Sequence, residues 1–351
     1  MTESAGTAAV DRGTRPAVEP DVVLVRALPK VELHLHLEGT FSAERIAVLA
    51  ARAGEALPRP LDELFRFEAL SDFLEFLDWT CGLVRTRELA EQVAHDLAAQ
   101  AAAVGTRYAE VILNPTHWSS WDLAELVEAV TVGFERARAD GHAECHLVLS
   151  ILRTQSATEA LELVEWMGRT RPRRVVGLSV DGDESRTGPT AERFAPAYRR
   201  AAELGYGLTA HAGESSGPQG VQDAVELLGV SRVDHGVRAI EDEQVLELLR
   251  TRDITLNVCL SSNLVLMYDD ERDHPLPALD AAGVKVTVNT DDPAYMDTDL
   301  LQEYLRCARL VGWDLQGLAA ASRRAVDAAF CSEATAAELR SQIAEFMDRA
   351  G

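Results

Sequence analysis

From Val31 to Glu38 the chain alternates residue by residue: Glu32, His34, His36 and Glu38 form one set, and Val31, Leu33, Leu35 and Leu37 the other. An extended strand sends two such sets to opposite faces. The pattern therefore predicts a first strand with two histidines on one side and an apolar stripe on the other. Helix periods follow over residues 43–53, 61–83 and 87–104, and from there strand and helix periods alternate regularly. Strands are predicted over 108–113, 146–152, 175–180, 207–210, 232–236, 254–260 and 284–289. Helices are predicted over 121–139, 157–167, 191–204, 219–228 and 241–250. The seventh-to-eighth step reads as a polar loop over 268–277 and a short helix over 277–282, and three helices close the chain over 300–311, 315–330 and 332–350. Eight strands separated by helices imply a parallel α/β sheet. At this length they favour a single closed (β/α)8 barrel of the TIM type, with extra C-terminal helices, over an open doubly wound sheet. No glycine-rich phosphate fingerprint follows the first strand, which argues further against a dinucleotide fold.

Composition narrows the partners. The 351 residues carry 34 Lys plus Arg against 57 Asp plus Glu, a formal charge of −23. That field repels nucleic acid and anionic membrane surfaces, so neither is expected as a partner, while it says little about a small-molecule substrate, whose cleft can differ from the average surface. No apolar run is long enough to span a bilayer. Residues 1–20 are small and polar, read as a frayed tail without the apolar core of a secretory signal, and residues 21–351 as one barrel domain. The five cysteines are odd in number, scattered and without a Cys-x-x-Cys pair. Reduced thiols and a cytoplasmic location are expected, not a disulfide scaffold, a zinc ribbon or a Cys-type zinc deaminase. The sequence leaves room for a homo-oligomer.

In such barrels the active site lies where the strands end. The first strand brings His34 and His36 there, the fifth His211 and Glu214, the sixth His235, and the eighth Asp291 and Asp292. Three imidazoles and a carboxylate suit a borderline-soft divalent ion, with zinc the default, so His34, His36, His211 and Asp291 are the candidate ligands. An ion there would make water nucleophilic at neutral pH. Glu214 is placed to trade a proton with substrate, and His235 to orient or deprotonate the water. A two-metal centre bridged by a carboxylated lysine is disfavoured. The fourth strand ends Ser179-Val-Asp-Gly-Asp-Glu, and the two lysines, Lys30 and Lys285, fall at the opposite strand ends.

The blocks Pro29-Lys-Val-Glu-Leu-His-Leu-His-Leu-Glu-Gly, His211-Ala-Gly-Glu, Val233-Asp-His-Gly and Asn289-Thr-Asp-Asp-Pro resemble the signatures of the adenosine/adenine deaminase family, within the metal-dependent amidohydrolase superfamily. The resemblance covers nearly the whole chain beyond the tail. It implies one zinc per subunit and a zinc-held hydroxide that adds to C6 of an aminopurine, with loss of ammonia. It implies that Glu214 protonates N1, that His235 holds the attacking hydroxide, that Asp292 contacts N7 and that the Gly182 backbone contacts N3. Residues 61–77 resemble the family's helical flap after the first strand, which makes Phe65 and Phe73 candidate purine contacts. The substrate signals conflict. Glu38 stands where adenosine deaminases carry a ribose-binding Asp, and Asp234 where they carry Gly; both resemble the adenine branch. Asp181-Gly-Asp-Glu resembles the nucleoside branch. An aminopurine nucleoside (adenosine or 2′-deoxyadenosine) is placed first, free adenine second and aminodeoxyfutalosine third. A non-catalytic purine-binding member ranks last, because no ligand or proton donor is missing.

Other polar residues read as structural. His117 belongs to a loop aromatic cluster with Trp118 and Trp121, and His274 before Pro275 marks a helix entry. Arg153 either touches substrate or buttresses Asp181, and Cys259 is a small buried hydrophobe.

Overall fold

The computed structural model describes residues 20–67 and 70–351. All of the expected tail except Pro20 lies outside the described residues. The Asp21 carboxylate accepts from the N–H groups of Val23 and Leu24 and caps α1 (Val22–Ala27). The apolar pattern gave no sign of this helix, since six residues are fewer than two turns. Every residue of β1 (Lys30–His36) is buried. Glu38 does not continue the strand, contrary to the alternation; it opens a 3-10 turn, Glu38–Thr40.

Ser42 caps α2 (Ala43–Ala53), which stops at Gly54 in the left-handed region. The segment read as one helical stretch over 61–83 is instead a 3-10 turn at Leu61–Glu63 followed by α3 (Leu70–Gly82). There follow α4 (Arg87–Ala103), β2 (Thr106–Leu113), α5 (Leu123–Ala139), β3 (Glu144–Leu152), α6 (Ala157–Thr170), β4 (Val175–Asp181), the single turn α7 (Glu184–Thr187) and α8 (Ala191–Glu203). The fifth strand position is two short pieces, β5 (Gly207–Leu208) and β6 (His211–Ala212), not one run over 207–210. Then come α9 (Pro218–Asp223), β7 (Arg232–His235), α10 (Glu243–Thr251) and β8 (Thr255–Val258). Residues 261–263, read as the loop ending the seventh strand, form the first turn of α11 (Leu260–Leu266). The chain closes with α12 (Leu276–Ala281), β9 (Lys285–Val288), α13 (Leu300–Val311), α14 (Leu315–Ala328) and α15 (Glu333–Ala350).

All strand pairs are parallel, in the orders β1-β2-β3-β4-β5 and β6-β7-β8-β9. The link between β5 and β6 stays in the wall: Thr209 N–H donates to Leu178 O at 3.0 Å, and Ala210 O accepts from Asp234 N–H at 2.8 Å. A bridge between Leu35 and Asp291 closes the ring. The result is the expected (β/α)8 barrel.

The end opposite the active site is sealed. Arg232 and Glu110 pair at 2.5 Å, both fully buried. The Arg232 guanidinium lies 3.7 Å from the centroid of the Phe330 ring, and Phe330 fills the space left by two glycines. A Cβ on Gly207 would fall 2.2 Å from Phe330 Cγ. Lys30 is also at this end, its ammonium donating to carbonyls of Leu28 (3.0 Å) and Val104 (2.9 Å). Among the described residues no helix is long and apolar enough to cross a membrane.

Candidate metal centre and active site

At the open end the strand termini converge. His34 Nε2 lies 3.3 Å from His36 Nε2, which lies 3.1 Å from His211 Nε2. Asp291 Oδ1 is 3.0 Å from His34 Nε2 and 3.3 Å from His36 Nε2. His235 stands beside them, its Nε2 3.8 Å from Asp291 Oδ2 and 3.5 Å from Glu214 Oε1. One atom each from His34, His211, His235 and Asp291 lies within 4.8 Å of the others, so geometry alone offers two four-residue sets, one with His36 and one with His235. The shorter contacts favour His36.

Hydrogen-bond direction separates them further. The Leu276 N–H donates to His274 Nδ1 at 3.1 Å, which leaves His274 its Nε2–H to give to Asn263 Oδ1, also at 3.1 Å. The Asn263 amide nitrogen then donates to His235 Nδ1 at 3.3 Å. A neutral His235 with Nδ1 accepting carries its hydrogen on Nε2, toward Glu214 and Asp291. That makes it a donor and a poor ligand. His274 is thus a helix entry, as the sequence indicated, and also the start of this relay. Sequence reasoning missed Asn263 and Ser262, whose hydroxyl donates to Asp291 Oδ2 at 2.6 Å. The Ser-Ser-Asn run at a strand end was the available signal.

Backbone strain is concentrated at the same place. His235 (φ 60°) and Asp291 (φ 64°) both adopt the left-handed conformation, at a cost of about 1–3 kcal/mol each that the surrounding bonds must offset. Glu184 fixes the loop after His211. It accepts from the N–H groups of Gly213 (3.3 Å), Glu214 (3.0 Å) and Ser216 (3.3 Å), and from the Ser216 hydroxyl (2.8 Å). Arg153 pairs with Glu184 at 3.5 Å and donates to Thr190 Oγ1 and to the carbonyl of His211. Its side chain therefore supports the His211 loop, and only its backbone N–H reaches Asp181.

Burial and neighbouring charge set the protonation states. Burial pulls His36 and His235 down to about 4 and His211 well below its ordinary value, so these three are neutral. Burial also lowers His34, but Asp291 and Asp234 overcome it and hold His34 up at about 9. Burial, then Asp291 and Glu184, pushes Glu214 up to about 8, which keeps it protonated at neutral pH. The adjacent aspartates split. Burial raises Asp291, but His34 and His235 outweigh it and hold the carboxyl well below its ordinary range. Burial, Asp291 and Glu38 push Asp292 well above that range. Asp291 is the anion and Asp292 the acid, a division of roles typical of paired carboxyls in a catalytic cleft.

His36, His211, Glu214, His235, Asp291 and Asp292 line a cleft of about 520 Å³, its open mouth included, together with Glu38, Phe73, Leu74, Leu77, His117, Asp181, Gly182 and Leu266. Of the two candidate purine contacts, Phe73 is in the lining and Phe65 is not. Phe65 packs on Tyr295 (centroids 4.9 Å apart) and Phe76 (6.0 Å) behind the lining, and Leu74 and Leu77 of α3 face the cleft instead. His117 does line the cleft, its Nδ1 2.6 Å from Asp78 Oδ1, so the aromatic-cluster reading understated it. Glu38 is 1 % exposed, and its Oε1 accepts from Trp118 Nε1 (2.7 Å) and Asn114 N–H (2.9 Å). Gly39 allows Asp292 to approach: a Cβ there would fall 2.0 Å from Asp292 Oδ1.

The donor set fits a cation. Imidazole nitrogens facing one another at 3.1–3.3 Å present opposed lone pairs unless a proton or an ion lies among them, and the ionised Asp291 is turned to the same point. Comparison with known proteins agrees. Residues 29–346 match the family model described as adenosine deaminase. An adenine deaminase of Rhodospirillum rubrum is 36 % identical, aligned over 93 % of this chain and 99 % of its own. An aminodeoxyfutalosine deaminase of Acidothermus cellulolyticus is 39 % identical, over 83 % and 85 %. Among solved structures, an adenine deaminase from Arthrobacter aurescens superposes with a TM-score of 0.86 at 31 % identity, covering 92 % of this chain and all of its own. A zinc-bound amidohydrolase from Burkholderia ambifaria superposes equally well (TM-score 0.86, 29 % identity, 97 % and 96 % covered). The buried cluster and the zinc-bound neighbour both point to a divalent metal, and the chain belongs to the adenosine deaminase family.

Proposed function

We propose that this chain hydrolyses the 6-amino group of a purine, with free adenine as substrate and one zinc ion per subunit held by His34, His36, His211 and Asp291. The observation that carries the substrate is end-to-end similarity to an adenine deaminase; it moves adenine ahead of the nucleoside that the sequence motifs placed first. The Glu38 geometry supports that order. Its carboxylate is committed to Trp118 and Asn114 at the position where the family's nucleoside enzymes carry a ribose-binding Asp.

The bound ion supplies Lewis acidity that makes water reactive at neutral pH. The protein does the rest. Asp292, kept protonated, donates to N7, and the Gly182 backbone contacts N3. Glu214, also protonated, gives its proton to N1 and so draws electrons from C6. His235 presents its Nε2–H to the oxygen of the attacking water and orients it toward C6. The C6–O bond forms, the C6–N bond breaks, and the departing amino group leaves as ammonia with one proton of the attacking water; the other water proton returns to the Glu214 carboxylate, which leaves a C6 carbonyl on the product. Phe73, Leu74 and Leu77 cover the cleft and exclude bulk water.

Aminodeoxyfutalosine is the second reading, favoured by the 39 % identical relative and by the Asp181-Gly-Asp-Glu sequence. Side-by-side kcat/KM values on adenine, adenosine, 2′-deoxyadenosine and aminodeoxyfutalosine separate the readings. Adenine is expected to lead; a wide lead for either nucleoside class overturns the substrate assignment.

A further inference from the structure

A second buried chain of hydrogen bonds runs beneath the metal cluster, and its direction is also set by a backbone N–H. Leu33 N–H donates to Asn289 Oδ1 at 2.8 Å, and His34 N–H reaches the same oxygen at 3.2 Å. With that oxygen fixed, the Asn289 amide nitrogen faces Thr287 Oγ1 at 3.0 Å. The Thr287 hydroxyl, having accepted, gives its hydrogen to Asn257 Oδ1 at 2.8 Å. Asn257 must then turn its NH2 to Asp234 Oδ1, at 2.7 Å. The alternatives are longer, Val258 O at 3.4 Å from the Asn289 amide nitrogen and Leu256 O at 3.4 Å from Thr287 Oγ1, so the shorter contacts set the direction and the chain ends on an acceptor. Ser179 Oγ lies 3.2 Å from the other oxygen of Asp234.

Asp234 is fully buried. Its Oδ1 is 3.7 Å from His34 Nδ1, and its Oδ2 is 3.5 Å from His211 Nδ1. Neither Nδ1 has a hydrogen-bond partner. At these separations the contacts are electrostatic and not formed hydrogen bonds, yet their sense is clear: a carboxylate attracts an N–H and repels a lone pair. We propose that Asp234 is a positioning residue shared by His34 and His211, holding both in the Nδ1–H tautomer so that both Nε2 lone pairs face the ion. The proposal rests on the metal reading of the cluster. It gives Asp234, which sequence motifs treat only as a mark of substrate branch, a part in metal binding. Partners of this kind are worth about 10–100-fold in metal affinity elsewhere.

The relay also says how an isosteric change would act. In Asp234→Asn the side-chain oxygen stays with Asn257, so the new NH2 faces His211 Nδ1 and favours the Nε2–H form, which cannot ligate. The test has two readouts. Zinc affinity, measured by competition with a chelator, is expected to weaken about 10–100-fold in Asp234→Asn. Long-range proton–nitrogen NMR of histidine-labelled, metal-free protein, at a pH where all the site imidazoles are neutral, reads the tautomers directly. The native protein is expected to show Nδ1–H at His34 and His211, and Asp234→Asn to show Nε2–H at His211. Nε2–H at either histidine of the native protein overturns the proposal, as does a variant affinity within about twofold of native. If the variant does not fold, the native spectrum alone decides. Failure of the native protein to bind zinc would defeat the metal reading, while the tautomers would still report on Asp234.

Discussion

The indole N–H of Trp118 donates to Oε1 of Glu38 at 2.7 Å, both side chains being almost wholly buried. This contact joins the turn after β1 to the turn after β2 and fixes a carboxylate at the rim of the cleft. Its second oxygen has no partner. Glu38→Asp withdraws the carboxylate by one methylene, which breaks the contacts with Trp118 and Asn114 and opens space beside the purine. The expected result is a fall in kcat/KM on adenine of about 10–100-fold, with a smaller loss on adenosine. Equal losses on both substrates would show that Glu38 does not shape specificity.

Glu214 carries a proton only while the pH stays below its elevated value of about 8. A general acid works in its protonated form, so kcat/KM on the preferred substrate should be level through neutrality. It should fall by about tenfold per unit above that value. Glu214→Gln should retain zinc and lose about 10²–10⁴-fold in turnover. A native profile still rising at alkaline pH would show that this carboxyl is not the donor.

The sealed end of the barrel gives a stability prediction. Gly207→Ala drives a methyl group into the Phe330 ring, and such overpacking costs about 1–3 kcal/mol. The urea midpoint should fall accordingly. Gly217→Ala, with nothing within 4 Å of the new Cβ, should stay within about 0.5 kcal/mol.

Much of this arrangement was legible in the residue order. The alternation at His34 and His36 places two imidazoles side by side whatever follows, and strand–helix regularity brings His211, His235 and Asp291 to the same end. What escaped reading depends on interactions distant in sequence. Phe65 and Phe73 carry the same apolar signal and both rings pack on Tyr295, at centroid separations of 4.9 and 6.0 Å, yet only Phe73 also lines the cleft. Ser262 and Asn263 look like loop residues until α11 turns them onto Asp291 and His235. Asp234 and Glu38 are single positions in otherwise matching motifs. Their roles come from Asn257, Ser179 and Trp118, which no local pattern connects to them.

Ammonia release from adenine, followed on the zinc-loaded protein, after chelator treatment, and after zinc is restored, tests the proposed chemistry most directly. One ammonia and one hypoxanthine should form per adenine consumed, cease when the metal is removed, and resume when zinc returns. Fully zinc-loaded protein that releases no ammonia from adenine, adenosine, 2′-deoxyadenosine or aminodeoxyfutalosine would contradict it.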